Sequence, residues 1–363
     1  MLKKEIESVI EKVQGVLTNN QEWKSRYKEY IRIINDKVSK DFFKYAQKKF
    51  RVPSPLQLYM PLSTIKNRCN DNRIEFDIRF RGQSVATLRV EKDNGNEKVI
   101  LIAKNSDAVK NALKGAGLTN EANCFSEIAD NEIAWNDDAA EKFREIYSLL
   151  EKKISQKVCE LKRQPEHAME SYLLKNYATA KGNGKEIKYI QPVNMKGTRA
   201  KFQMPTPIKA SNVKKGVDTI EYSKSYGGGI DILARKGSGI TATLLVMELK
   251  DENKDSESPD KVICQAVAYA TFIRELLRSE SGNEWWEFFG FSGNVPQELT
   301  IKAVVVMPLK NKKGEVSTKT SEFMEYVKNL KDNNKSFKIS NTNDKIKLGY
   351  VFREDEKKSL SIL

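Results

Sequence analysis

One histidine, His167, stands in a chain of 363 residues. That scarcity excludes chemistry built on several imidazoles, so multi-histidine zinc hydrolysis drops out at once, and serine triads are set aside with it because His167 is the one imidazole they could use. Cysteine is sparse too. Cys69, Cys124, Cys159 and Cys264 lie far apart with no CxxC pair, a spacing that offers neither a disulfide framework nor a zinc site and predicts reduced thiols. No apolar run approaches the roughly 20 residues needed to cross a bilayer. The opening MLKKEIESVIEK reads as a charged amphipathic helix without the apolar core of a signal peptide. A cytoplasmic protein with no membrane partner is expected.

Positive charge, by contrast, is plentiful. Lys and Arg number 63 against 49 Asp and Glu, a net charge of +14. Such a balance favours polyanionic partners, because phosphate neutralisation releases counterions. A solvated lysine-rich surface is the plain alternative, and charge alone does not separate DNA from RNA or from acidic membrane. The hydrophobic fraction of 39% and the aromatic fraction of 9% suffice for packed cores. The length suggests about two domains.

The first domain is expected over residues 1–162 as an α+β unit. A helix reads from Leu2 to Leu17 and a second from about Gln21, with Trp23, Tyr27, Tyr30, Ile31 and Ile34 at helical spacing. Pro53, Pro55 and Pro61 then break the pattern. Strands follow at Arg73–Phe80, Ser84–Val90 and Val99–Ala103, then helices near Asp107–Leu113 and Asp137–Leu161. The basic, aromatic second helix (Trp23, Lys24, Arg26, Tyr27, Lys28, Tyr30, Arg32) is a candidate recognition or dimerisation surface; its aromatics alternatively pack the domain core.

Gln164-Pro165 marks the start of a second domain, 163–363, of mixed α/β character. Its expected order is a helix at Glu166–Tyr177, strands near Lys185–Pro192, Gly229–Ala234 and Thr241–Leu249, and a helix from Pro259 to Arg278. A strand at Leu299–Met307, a helix at Thr320–Leu330 and a strand near Lys347–Phe352 complete it.

The chemistry concentrates here. Asp231 interrupts the apolar run Gly229-Ile230-Asp231-Ile232-Leu233, and a carboxylate in such a setting is costly unless paired or metal-bound. The glycines of Tyr226-Gly227-Gly228-Gly229 remove side-chain bulk upstream, which lets another backbone approach. Leu244-Leu245-Val246-Met247 reads as a buried strand ending in Glu248-Leu249-Lys250, whose period-two alternation puts Glu248 and Lys250 on one face. The E-x-K spacing itself carries little, since it recurs at Glu22/Lys24, Glu151/Lys153, Glu160/Lys162, Glu186/Lys188, Glu252/Lys254 and Glu356/Lys358. Only Glu248/Lys250 ends a buried strand one hairpin after another acid. On the following helix, Val262, Ala266, Tyr269, Phe272, Ile273 and Leu276 share an apolar face with Gln265, a polar group that needs partners there. On the helix opening the domain, Glu170 flanks the face of Met169, Tyr172, Leu173 and Tyr177. Glu166 competes for its role, and His167 reads as a surface residue or a neighbour of the acids rather than a metal ligand.

In chain order, helix-Glu170, strand-Asp231, strand-Glu248-Leu249-Lys250 and helix-Gln265…Tyr269 resemble the PD-(D/E)XK nuclease superfamily over residues 165–307. The Gln265…Tyr269 spacing is similar to the Q-x-x-x-Y signature of its RecB-type branch, while Gly229-Ile230 stands where a proline would precede Asp231. The resemblance implies a restriction-endonuclease-like αβββαβ core. It implies that Asp231, Glu248, Glu170 and the Leu249 carbonyl bind Mg²⁺, with Mn²⁺ able to substitute. Lys250 would orient or deprotonate the attacking water and counter phosphorane charge, and Gln265 would steady the site. The expected function is Mg²⁺-dependent endonucleolytic hydrolysis of DNA phosphodiester bonds, in restriction or another defence role. A catalytically inactive nucleic-acid-binding module on a nuclease fold, an RNA-directed nuclease and a regulatory protein with coincidental acids are the alternatives. A homodimer, which double-strand cleavage often needs, stays open.

Overall fold

Apolar periodicity sets the order of elements in the computed structural model, which describes residues 2–36, 51–70, 72–93, 96–161, 165–176, 190–194, 200–237, 242–250, 257–310, 314–332, 336–339 and 342–353. Helices α1 (Leu2–Thr18) and α2 (Glu22–Asn35) open the chain. Strands β1 (Leu56–Pro61), β2 (Cys69–Asn70), β3 (Arg73–Phe80), β4 (Gln83–Asp93) and β5 (Asn96–Ala103) follow. Then come α3 (Asp107–Gly115), α4 (Thr119–Ile128), β6 (Glu132–Ala134), α5 (Asp138–Ser155) and α6 (Pro165–Asn176). The remaining strands are β7 (Ile190–Pro192), β8 (Lys201–Thr206), β9 (Ile208–Lys209), β10 (Glu221–Tyr222), β11 (Gly228–Ile230), β12 (Ile232–Lys236) and β13 (Thr243–Leu249). Helices α7 (Pro259–Leu277) and α8 (Gly282–Phe288), β14 (Thr300–Pro308), α9 (Thr318–Asp332), β15 (Phe337–Lys338) and β16 (Lys345–Arg353) complete the order. No helix among the described residues is long and apolar enough to cross a membrane.

Contacts divide the chain into two units that do not coincide with the sequential halves 1–162 and 163–363. The first gathers Met1–Ile31, Tyr172–Val193 and Gln203–Leu363, and the second Arg32–Ser171 and Asn194–Phe202. The opening helices therefore belong with the C-terminal half. The physical reason is the apolar face of α2. Trp23 and Tyr27 bury themselves edge-on against Phe272 of α7, with centroids 5.9 and 5.1 Å away, and Tyr27 also meets Trp285. Burying aromatics of this size stabilises by on the order of 4 kcal/mol each. Of the two readings of α2, core packing holds for its aromatics: Trp23, Tyr27 and Tyr30 are core residues.

In the first unit a mixed sheet runs β15-β16-β14-β13-β12-β7. Strand β12 lies antiparallel between β7 and β13. The chain then crosses through α7 to β14, which lies parallel to β13, and β16 lies parallel to β14. Helix α7 packs on β13 and β14, and α1 packs on α7. Its burial differs from the one-faced helix expected: Val262 through Arg274 is buried all round, as a helix sandwiched between a sheet and another helix must be. The second unit is built on the antiparallel order β1-β3-β4-β5-β6, with β2 beside β3. Its helices α3, α4 and α5 close over Phe76, Phe80, Phe125, Phe143 and Tyr147. The class is mixed α/β with open mixed sheets, as the sequence predicts. The cysteines are free thiols, and burial, helped by Glu5 and Asp260, pushes Cys264 up to about 12.

Strand edges moved by a few residues, and some elements were not foreseen: β1, β8, α4 and α8. Residues 185–189 of the strand expected near Lys185–Pro192, and Tyr177 at the end of the expected α6, lie outside the described residues.

Candidate active site

Strand β13 occupies an interior position in its sheet, hydrogen-bonded to β12 on one side and β14 on the other. Its apolar residues Leu244–Met247 are buried, and the charges at its end are buried with them. The side chains of Glu248 and Lys250 retain only 3% and 8% exposure, and Lys250 Nζ donates to Glu248 Oε1 at 2.8 Å. Lys250 N–H also donates to Val306 O at 2.9 Å, extending the ladder one residue past the strand. An ion pair this dry is costly to assemble and more costly to break, because removing one member strands the other in low dielectric.

Asp231 reaches the same strand end from β12. The single strand expected over Gly229–Ala234 is in fact two. Strand β11 pairs with β8, matching Gly228 to Thr206 and Ile230 to Met204, whereas β12 pairs with β13 and β7. Asp231 is the bend at which the chain leaves one partner for the other. Half-buried rather than enclosed in an apolar run, its Oδ2 accepts the Leu249 N–H at 2.8 Å, in place of a ladder carbonyl. A strand residue's N–H and C=O leave on the same side, so the Leu249 carbonyl is turned toward the β12 edge where Asp231 stands. The glycines before the bend permit close approach, as expected: a Cβ on Gly227 would lie 2.4 Å from the Ile208 backbone, and one on Gly228 (φ +153°) would lie 3.1 Å from Tyr269 Oη.

Helix α7 supplies the remaining side chains. Gln265 and Tyr269 lie one turn apart, and Gln265 Nε2 donates to Tyr269 Oη at 3.3 Å. The partner of the buried glutamine is therefore this phenol. Burial raises the Tyr269 phenol well above its ordinary value; the Glu248 carboxylate raises it further, the Gln265 hydrogen bond opposes, and Asp231 adds to the rise. The phenol stays protonated within electrostatic reach of both acids. The sequence places Tyr269 on the apolar face of this helix and at the Q-x-x-x-Y spacing; the geometry makes it a member of the cluster.

Glu170 is placed differently. It is buried on α6 in the second unit, where Tyr59 Oη donates to its Oε1 at 3.1 Å and His167 Nδ1 lies 3.6 Å from its Oε2. Burial, then the Glu170 charge, raises the Tyr59 phenol, and Arg79 stacks 4.1 Å over its ring. His167 is both partly exposed and a neighbour of Glu170, as expected. The structure brings together Asp231, Glu248, Leu249, Lys250, Gln265 and Tyr269 in the first unit, and Glu170 with Tyr59 and His167 in the second.

The oxygen donors of Asp231, Glu248 and the Leu249 carbonyl are hard ligands of the type Mg²⁺ takes, an ion that keeps several of its waters. Among the described residues no group of three or more His, Cys, Asp or Glu side chains is close enough to hold a metal. Residues 251–256, with Asp251, Glu252 and Asp255, lie outside the described residues. The chain matches no known family model, no curated protein and no solved structure.

Proposed function

We propose that this protein is a metal-dependent nuclease that hydrolyses DNA phosphodiester bonds through a site of PD-(D/E)XK type. The observation that carries the reading is the meeting of Asp231 with the Glu248-Leu249-Lys250 strand end: an acid at a sheet-switching bend, bonded to the backbone between a buried acid and a buried lysine. The antiparallel neighbours β7, β12 and β13, followed by the crossover helix α7 and the parallel strand β14, support the sheet and crossover of an αβββαβ core around it. A restriction or other defence role is a setting that suits this chemistry.

Phosphodiester hydrolysis needs an activated water, charge stabilisation at the phosphorane and a held geometry. Mg²⁺ bound by Asp231, Glu248 and the Leu249 carbonyl would supply Lewis acidity, with Mn²⁺ able to replace it. Lys250 presents an ammonium that orients the attacking water and offsets the developing negative charge. Its bond to Glu248 fixes where that charge sits. Gln265 holds the Tyr269 phenol as a neutral hydrogen-bond donor beside the acids. None of these roles calls for histidine.

The test is cleavage of plasmid, single-stranded DNA and RNA in Mg²⁺, Mn²⁺ or EDTA, with wild type beside Asp231→Ala and Lys250→Ala. Metal-dependent cutting of DNA by wild type alone is expected. Wild type that cuts nothing, or variants that cut equally well, would overturn the assignment. The small acid count among the described residues favours a second reading, a nucleic-acid-binding module without catalysis; Mg²⁺-dependent binding with no cleavage is its signature.

A further inference from the structure

One aromatic side chain among the described residues is exposed. Tyr226, with 47% of its surface open to solvent, stands five positions before Asp231 on the loop that leads into β11. Every other large aromatic that the structure describes is buried or half-buried. A singly exposed apolar side chain needs no explanation by itself; Tyr226 gains meaning from the loop that holds it and from its neighbours.

The loop bearing it is held from several directions. Arg26 of α2 donates from Nη1 to the Lys224 carbonyl and, at 2.7 Å, to the Ser225 carbonyl, and from Nη2 to the Ser223 carbonyl at 3.4 Å. The Ser223 N–H reaches Pro207 O at 2.7 Å and the Gly227 N–H reaches Thr206 O at 2.9 Å. Gly227 itself lies so close to Ile208 that no Cβ fits. The backbone on both sides of Tyr226 is therefore fixed. Arg26, a member of the basic patch expected on α2, spends its guanidinium on clamping this loop.

The position is also next to the acids. A Cβ on Gly228 would lie 3.1 Å from Tyr269 Oη, Tyr269 is within electrostatic reach of Glu248 and Asp231, and two residues of chain span at most about 7 Å. The Tyr226 phenol is within electrostatic reach of both Tyr27 and Tyr269. Lys224, exposed two residues upstream, brings a charge that neutralises phosphate.

Resting on the nuclease reading, we infer that Tyr226 is a stacking platform for an unpaired nucleobase of the substrate strand, held on a preformed loop beside the scissile position. A base inside a duplex hides its faces against its neighbours, whereas single strands, flaps and frayed ends offer a π face to a protein aromatic. Preforming the loop removes part of the ordering cost of binding. The chain would therefore select unpaired over fully duplex nucleic acid at this subsite, without reading base edges.

Binding in EDTA separates this inference from catalysis. A short fluorescein-labelled DNA strand without self-complementarity, the RNA strand of the same sequence and the DNA duplex would be titrated against wild type, Tyr226→Ala and Tyr226→Phe by fluorescence anisotropy. Tyr226→Ala is expected to weaken binding of a single strand about ten-fold, with the duplex changed less than about two-fold. Tyr226→Phe, which keeps the ring, is expected to bind like wild type. DNA and RNA share the stacking chemistry, and comparison of the two strands identifies the preferred backbone. Unchanged single-strand binding by Tyr226→Ala, or equal losses on strand and duplex, would overturn the inference. If no metal-dependent cleavage is found in the assay above, the nuclease reading falls while this binding result stands by itself.

Discussion

Asp231 has two separable duties, and its isosteric variant divides them. Structurally, its Oδ2 is the acceptor for the Leu249 N–H at 2.8 Å, and Leu249 is fully buried. Asp231→Ala removes that acceptor from an enclosed strand end. Leaving a buried donor unsatisfied costs about 1–3 kcal/mol, and a domain of this size loses roughly 2–4 °C of Tm per kcal/mol. The thermal midpoint of the first unit should therefore fall by roughly 2–12 °C. Asp231→Asn keeps a carbonyl oxygen at the same reach, so its stability without metal should stay within about 1 kcal/mol of wild type.

The second duty is charge. If the carboxylate binds Mg²⁺, the folded state gains stability with the ion: an excess of one hundred times Kd stabilises by about 2.7 kcal/mol. Wild type should show that gain in scanning calorimetry, and Asp231→Asn should lose most of it together with DNA cleavage. An Asn variant that cuts DNA and responds to Mg²⁺ like wild type would refute the catalytic role and leave Asp231 as a strand-end cap. An Ala variant that melts at the wild-type temperature would refute the structural role. Because the two duties have different failures, one pair of variants tests both.

Three further predictions follow from buried groups. Lys250→Ala leaves the Glu248 carboxylate buried without the ammonium now 2.8 Å away, so urea denaturation should show a loss of about 3–5 kcal/mol; Glu248→Gln with Lys250→Met should recover much of it without restoring cleavage. Asp344 is buried between Arg274 and Arg278 and also accepts the Leu299 N–H. Burial pushes its carboxyl up, but the bonds from Arg278, Leu299 and Arg274 outweigh that and hold it below its ordinary value of 3.8. Its stabilisation is then complete above that value and fades as pH falls through the lower folded value; Asp344→Asn should be less stable near neutrality and show a flatter acid limb in denaturation titrations. A Cβ on Gly227 would lie 2.4 Å from the Ile208 backbone, so Gly227→Ala should cost about 1–3 kcal/mol by overpacking, measured as a lower urea midpoint with unchanged slope.

Much of the secondary structure was legible because it depends on local periodicity. Helices α1, α2, α5 and α7 and strands β3, β13, β14 and β16 carry their spacing within a dozen or so residues, the distance over which amphipathic patterns speak. The grouping of those elements was not legible. Trp23 and Tyr27 announce an apolar face, but nothing near them names Phe272 as its cover. A boundary at Gln164-Pro165 is a reasonable local reading, yet the first unit takes residues from both sides of it. The break at Asp231 was hidden for the same reason. Gly228–Lys236 scans as one extended run, and its division becomes visible only when β8 supplies a second partner.

The candidate site shows the same division between context and contact. Glu248 and Lys250 stood out from other E-x-K pairs by ending an apolar run, and the structure buries them for the reason that made them stand out: an interior strand has both faces covered. Gln265 stands out as a polar residue in an apolar face; Tyr269 lies on that face in the sequence pattern, but nothing local marks its hydroxyl as the glutamine's partner. Glu170, expected on the flank of an apolar face, is buried, and its hydrogen-bond donor Tyr59 went unseen because β1 lies between prolines that argue against a strand. Helix α7 joins these strands of reasoning. Its sequence alternates large residues with Ala266, Ala268 and Ala270, small enough for close packing on more than one side, and α1 covers the side that the sheet does not. A glutamine and a tyrosine on a helix confined in this way have few rotamers open to them. The confinement that stabilises the fold thus also fixes Gln265 and Tyr269 beside the acids, and it is supplied by N-terminal helices far away in sequence.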